Sequence, residues 1–199
     1  MKRRVSSMKK RAVLIAVLLL GGCVKVGDGG KPPRQLFTLP PVAAPAGALV
    51  TATPITTLAV AEPDTERALG LTRIAVRVND SSIAYMKEGL WSERPARLLR
   101  NHIAEVIRAR GIRLVLIDGE DGAQAGQHLG GRLIFMGYDD RTRSAVIRYD
   151  ALLTKLDGTL AQRRFEAVEK GVAPKPEAVA EALGRMSDKL AAEVADWVG

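Results

Sequence analysis

At 199 residues the chain is long enough for one well-filled domain with appendages. Its formal charge of +8 points toward an acidic partner such as nucleic acid. However, Lys2, Arg3, Arg4, Lys9, Lys10 and Arg11 all precede the first apolar run, and without them 24 Lys and Arg face 22 Asp and Glu, a balance of +2 that excludes a nucleic-acid reading. The single cysteine, Cys23, excludes an intramolecular disulfide, so the core must supply the stability.

The basic start, the apolar run Ala12 to Leu20 and the small pair Gly21 and Gly22 read as a secretory signal over residues 1–22, and Met8 would serve equally well as its start. The apolar run falls short of the roughly 20 residues a membrane-spanning helix needs. Leu20, Gly21, Gly22 and Cys23 resemble the lipobox of bacterial lipoproteins, which assigns Cys23 as the lipid attachment site. It would carry a diacylglycerol and an N-acyl chain, with no other cofactor. Val24 stands where enteric lipoproteins carry an inner-membrane retention Asp, so the expected address is the outer membrane, facing the periplasm. Residues 23–34 (CVKVGDGGKPPR) are rich in Gly, Pro and charge and read as a tether, leaving 35–199 as one periplasmic domain.

Within that domain Gln35 to Leu39 alternates like a short strand, and 40–56 is a proline-rich connection that cannot supply core helix. Strand patterns follow at Thr57 to Ala61, Thr72 to Val78 and Ser82 to Lys87, the last two joined by the turn residues Asn79 to Ser82. Arg94 to Arg110 has helical spacing, with Leu99, Ile103, Val106 and Ile107 on one face. Ser92 suits its N-cap, Pro95 its first turn and Gly111 its end. Strands are then expected at Ile112 to Ile117, Leu129 to Tyr138, Ser144 to Leu156 and Thr159 to Val168, with Asp157-Gly158 as a hairpin turn. After Pro174 and Pro176 a second amphipathic helix presents Val179, Leu183, Met186, Leu190, Val194 and Trp197 as one stripe, expected to cover the sheet. The fold class is α+β: a largely antiparallel or mixed sheet with two amphipathic helices packed on it.

The lipobox, the QLFTLPP stretch at 35–41 and the run LTRIAVRVNDSSIAYMKEGLWSERPARLLRNHIAEVIRARG at 71–111 together resemble the ABC-type transport auxiliary lipoprotein family. The most recognisable part is a strand (Ile74 to Val78), a tyrosine in its partner strand (Tyr85) and a tryptophan ahead of the long helix (Trp91). The resemblance implies an outer-membrane lipoprotein that partners a periplasmic MCE-domain protein and the permease and ATPase subunits of an ABC system moving phospholipid or other hydrophobic compounds between membranes. Self-association is left open.

The residues agree with an accessory role. No GxxxxGK[ST] occurs: Gly126 to Gly131 lacks the lysine, so ATP hydrolysis belongs to another subunit. The two histidines, His102 and His128, suggest no metal pair. Glu120-Asp121 and Asp139-Asp140 fall in turns where acids are ordinarily solvated, and Asp118 to Gly122 lacks the twelve-residue calcium-loop pattern. No catalytic or metal residue is therefore assigned, and the chain reads as a non-enzyme. Tyr85 and Trp91 suit a core beneath the first helix, or alternatively a partner interface, and Arg94, Arg97, Arg100, Arg108 and Arg110 suit a solvated face. The competing functional reading is a structural lipoprotein of envelope maintenance or outer-membrane assembly with no transporter attached.

Overall fold

A computed structural model describes residues 35–42, 45–47, 49–117 and 125–199. The signal segment, Cys23, the tether and the Asp118 to Gly122 stretch lie outside the described residues. Eight strands form one mixed sheet: β1 (Leu58–Val60), β2 (Asp64–Thr65), β3 (Arg73–Asn79), β4 (Ser82–Leu90), β5 (Val115–Ile117), β6 (Gln127–Asp139), β7 (Ser144–Lys155) and β8 (Leu160–Lys170). Among the described residues two α-helices, α1 (Pro95–Ala109) and α2 (Pro176–Val198), accompany it, giving the α+β class expected from the period-2 and period-3.6 patterns.

The long central strand β6 organises the rest. Along one edge it receives β1, β2 and β3 in succession, all parallel, with Leu58 opposite Gln127, Asp64 opposite Arg132 and Ala75 opposite Gly137. Its other edge holds β7 antiparallel, and β7 in turn holds β8. Strand β4 closes a hairpin on β3, and β5 lies parallel to β1 on its outer side. The long pairings are thus antiparallel and the short ones mostly parallel. That mixture is invisible in the sequence, because strands of two or three residues carry no period.

The stretch from Leu129 to Tyr138 does not alternate cleanly because β6 is bulged between Leu133 and Phe135. One extra residue reverses the faces of everything beyond it. Leu129 and Leu133 before the bulge, and Met136 and Tyr138 after it, all join the main core, while Phe135 passes to the other face beside Leu69, Ala75 and Val146. The unbulged β7 sends every second residue from Ala145 to Leu153 into that same core.

Helix α1 buries Leu99, Ile103 and Ile107 as its spacing requires. Its start differs from the expected one. Pro95 occupies the first turn, Arg94 is the N-cap, and the Ser92 amide is engaged elsewhere, donating to Phe37 O at 2.7 Å. The arginines also depart from a purely solvated face. Arg108 donates to Val115 O, and Arg110 pairs with Asp196 at 2.8 Å and donates to Ala192 O, so two of them fasten α1 to β5 and α2. The α2 stripe turns inward: Val179, Leu183, Met186, Leu190 and Val194 are buried, and Trp197 meets Phe165 of β8 edge to face at 5.7 Å.

Two expected strands are shortened or lost. The stretch Ile112 to Ile117 is extended in the sheet only from Val115, opposite Leu58. Gln35 to Leu39 is no strand of the sheet; one bridge links Phe37 to Trp91. Its alternation serves side-chain burial instead, with Leu39 in the core.

Candidate functional site

The segment 35–41, where the expected tether meets the domain, is seated on named groups. Phe37 N donates to Leu90 O at 2.8 Å, and its ring packs edge to face on Trp91 with centroids 6.4 Å apart. Pro40 presses on α2 at Gly184, where an added Cβ would lie 3.0 Å from the proline Cδ. Gln35 Nε2 donates to Glu177 Oε1 at 3.1 Å. Backbone bonds, an aromatic floor and one close approach fix the chain where it enters the fold.

Trp91 is that floor. At 1 % exposure it offers no surface to a partner, and its backbone N donates to Thr72 O at 2.7 Å. Tyr85 is half-buried in β4, its hydroxyl donating to Ala68 O at 3.1 Å and its ring 6.0 Å from the Arg73 guanidinium carbon. The two aromatics singled out by the sequence therefore occupy different settings: one lines the core beneath the entering chain, the other keeps partial exposure on the outer hairpin.

His102 completes the seat from α1. It is 5 % exposed, with Nε2 2.9 Å from Asp188 Oδ1 but out of line for a hydrogen bond, and the Pro40 backbone also faces it. Burial pushes the imidazole pKa below its ordinary value, and the Asp188 carboxylate and Pro40 backbone only partly restore it. With the folded pKa below the unfolded one, the unfolded chain binds more protons in the window between them. Stability is therefore complete above about pH 6.5 and declines as pH falls through that value toward the folded pKa. Urea midpoints measured across this range should fall with acid in the wild type and flatten in His102→Gln. An unchanged slope in the variant would remove His102 as the cause.

Asp139 and Asp140 occupy different settings. Asp139 is 5 % exposed, contrary to a solvated turn residue, because it organises the β6–β7 turn: the Arg141 backbone N and Nε donate to it at 3.1 and 3.4 Å, and Arg77 stands 4.0 Å away. Asp140 beside it is exposed. Glu120 and Asp121 lie outside the described residues. His128 is exposed on β6, and among the described residues no group of three His, Cys, Asp or Glu is placed to hold a metal.

One arrangement leaves no readable pattern in the sequence by itself. The sheet face turned away from the helices carries charges at two successive outward positions midway along each of β7 and β8 (Arg148 and Asp150; Arg164 and Glu166), and the register sets them opposite one another. Asp150 accepts from Arg164 Nε and Nη2 at 2.5 and 2.7 Å, Arg148 pairs with Glu166, and Arg132 pairs with Glu66 at 3.1 Å. The Arg164 hydrogen bond, helped by Arg148 and Arg132, holds the Asp150 carboxyl below its ordinary pKa. The available signal was the charge alternation Arg148, Asp150 and Arg164, Glu166, which gains meaning only once the hairpin register is known.

A family profile described as ABC-type transport auxiliary lipoprotein component matches residues 37–195. No curated protein matches. Among solved structures, a Xanthomonas campestris protein of the DUF330 family is 18 % identical with a TM-score of 0.69, over 82 % of this chain and 94 % of that one. The crystal structure of an uncharacterized protein is 14 % identical with a TM-score of 0.62, over 83 % of this chain and all of that one. At these identities the two structures show a shared fold and nothing finer.

Proposed function

From the premise that the chain belongs to the ABC-type transport auxiliary lipoprotein family, we propose that it is an outer-membrane lipoprotein acting as an accessory subunit of an MCE/ABC-type intermembrane transport system for phospholipid or other hydrophobic compounds. The family is one of transport auxiliary lipoproteins and not of enzymes. The observation that carries the reading is the family match over 37–195, preceded by the lipobox ending at Cys23.

In this reading the acylated Cys23 anchors the domain in the outer membrane, and the domain binds the periplasmic MCE-domain component. Two or three acyl chains on one cysteine hold far more firmly than one, at ~0.8 kcal/mol per buried CH₂. Between Cys23 and the seat at Gln35 lie twelve residue steps, which reach at most about 40 Å when fully extended. The domain would thus stay within a domain's length of its membrane and present a partner surface there. Tyr85, half-buried beside Arg73, is the aromatic assigned to that surface. The motor and the channel are other subunits: the sequence has no P-loop, and among the described residues no helix is long and apolar enough to cross a membrane.

Affinity capture of the lipidated chain from gently solubilised membranes tests the partnership. It should recover an MCE-domain protein with permease and ATPase subunits. Recovery of outer-membrane assembly factors without any transporter component would favour the structural-lipoprotein alternative.

A further inference from the structure

Four strands have a neighbour on one side alone among the described residues, β2, β4, β5 and β8, and they are not equally protected. Strands β2 and β5 are two and three residues long. Strand β4 is broken by an irregularity in which Met86 to Gly89 stand against the single residue Ile74, with Glu88 at φ 66°. Short length and bulging are ordinary ways of blunting a sheet edge. Strand β8 has neither: eleven residues, no proline, no register shift against β7, and among the described residues no strand on its other side.

The residue pattern of that edge is self-complementary. Phe165 and Ala167 face the helices, while Arg164, Glu166 and Val168 face the opposite way. Two copies of β8 paired antiparallel about a two-fold axis must set each residue against one of the same face, so the axis passes through a residue and not between two. An axis at Arg164 or at Glu166 places that charge against itself, and one at Ala167 sets Arg164 against Lys170. An axis at Phe165 pairs all eleven residues, from Leu160 with the partner's Lys170 onward, and sets Arg164 against the partner's Glu166 twice over. With Arg132 opposite Asp150 and Asp150 bonded to Arg164, the signs then alternate strand by strand across the joint, through the partner's Glu166 to the partner's Arg148.

We propose that β8 is a homodimer edge: two copies of this chain join antiparallel about Phe165 into one continuous sheet. The affinity comes from main-chain hydrogen bonds, and the register is set by the Arg164 and Glu166 pairs. The inference is independent of which transport system the chain serves.

Engineered cysteines in the full chain test it. Gln162 falls opposite the partner's Val168, and both positions are exposed. Within one strand these two residues are six apart, about 20 Å, far beyond disulfide reach. Mild oxidation of cells expressing Gln162→Cys/Val168→Cys should therefore give a covalent dimer on non-reducing gels, and so should the second pair, Leu160→Cys/Lys170→Cys. Each single variant should run as an uncross-linked chain on the same gels, since across this axis a residue and its own copy are about 20 Å apart for positions 162 and 168 and about 33 Å apart for positions 160 and 170. Failure of both double variants to cross-link, or equal cross-linking of the singles, overturns the proposal.

Discussion

Gly131→Ala should destabilise the domain by about 4 kcal/mol or more, lowering the melting temperature by roughly 10 °C or more, for two reasons that add. Gly131 sits in β6 at φ 120°, a backbone conformation that strains any residue with a Cβ. A Cβ there would also lie 2.0 Å from Asp150 O and 3.0 Å from Ala151 Cα, both backbone atoms of the neighbouring strand. Neither can move without opening the β6–β7 ladder, the longest pairing in the sheet. Next to it the Tyr149 hydroxyl donates to Gly130 O, and burial of that phenol raises its pKa, so displacement of the strand would also strand a buried polar group. Gly158→Ala is the control. Gly158 has φ 83° but nothing within 4 Å of an added Cβ, so it should show only the conformational cost of about 1–2 kcal/mol. Urea denaturation of both variants separates strain from collision. Equal losses would mean that β7 yields freely at Asp150.

What could be read from the sequence was what repeats. Both helices, the β3–β4 hairpin and the β7–β8 hairpin around Asp157-Gly158 appear within a few residues of their observed bounds, because each carries several turns or alternations of apolar residues. Features decided by a single residue, or by a partner distant in sequence, were not readable. The bulge that sends Phe135 to the far face hides in a continuous apolar run, and the parallel docking of β1 and β2 along β6 leaves no pattern in five residues. The burial of Asp139 depends on Arg77 from another strand, and Ser92 lost the N-cap position to the chain entry at Phe37. The candidate site divides the same way. The lipobox is a local motif read from sequence alone, and Cys23 lies outside the described residues, whereas the seating of 35–41 on Trp91, Gly184 and His102 joins residues about fifty to one hundred and fifty positions apart.

Cys23→Ser should abolish membrane anchoring while leaving the folded domain untouched. In the proposed reading the sulfur takes the diacylglycerol as a thioether; a serine hydroxyl at the same place is a far weaker nucleophile and would remain unmodified. Acyl chains of ordinary length would each contribute about 10 kcal/mol of membrane affinity at ~0.8 kcal/mol per CH₂, so the loss is qualitative. Unlipidated precursor should accumulate, and labelled fatty acid should no longer enter the chain. The seat at 35–41 is twelve positions away and takes no part in acylation, so the melting behaviour of the domain should not change.

The same variant tests whether the chain holds a periplasmic transport component at the outer membrane, as proposed. The distribution of the MCE-domain partner between inner and outer membranes can be measured by density-gradient fractionation of cells carrying either wild-type chain or Cys23→Ser. Part of the partner should sediment with the outer membrane in the wild type, and this part should move to the inner-membrane fraction in Cys23→Ser. A partner distribution identical in the two strains would contradict the proposal.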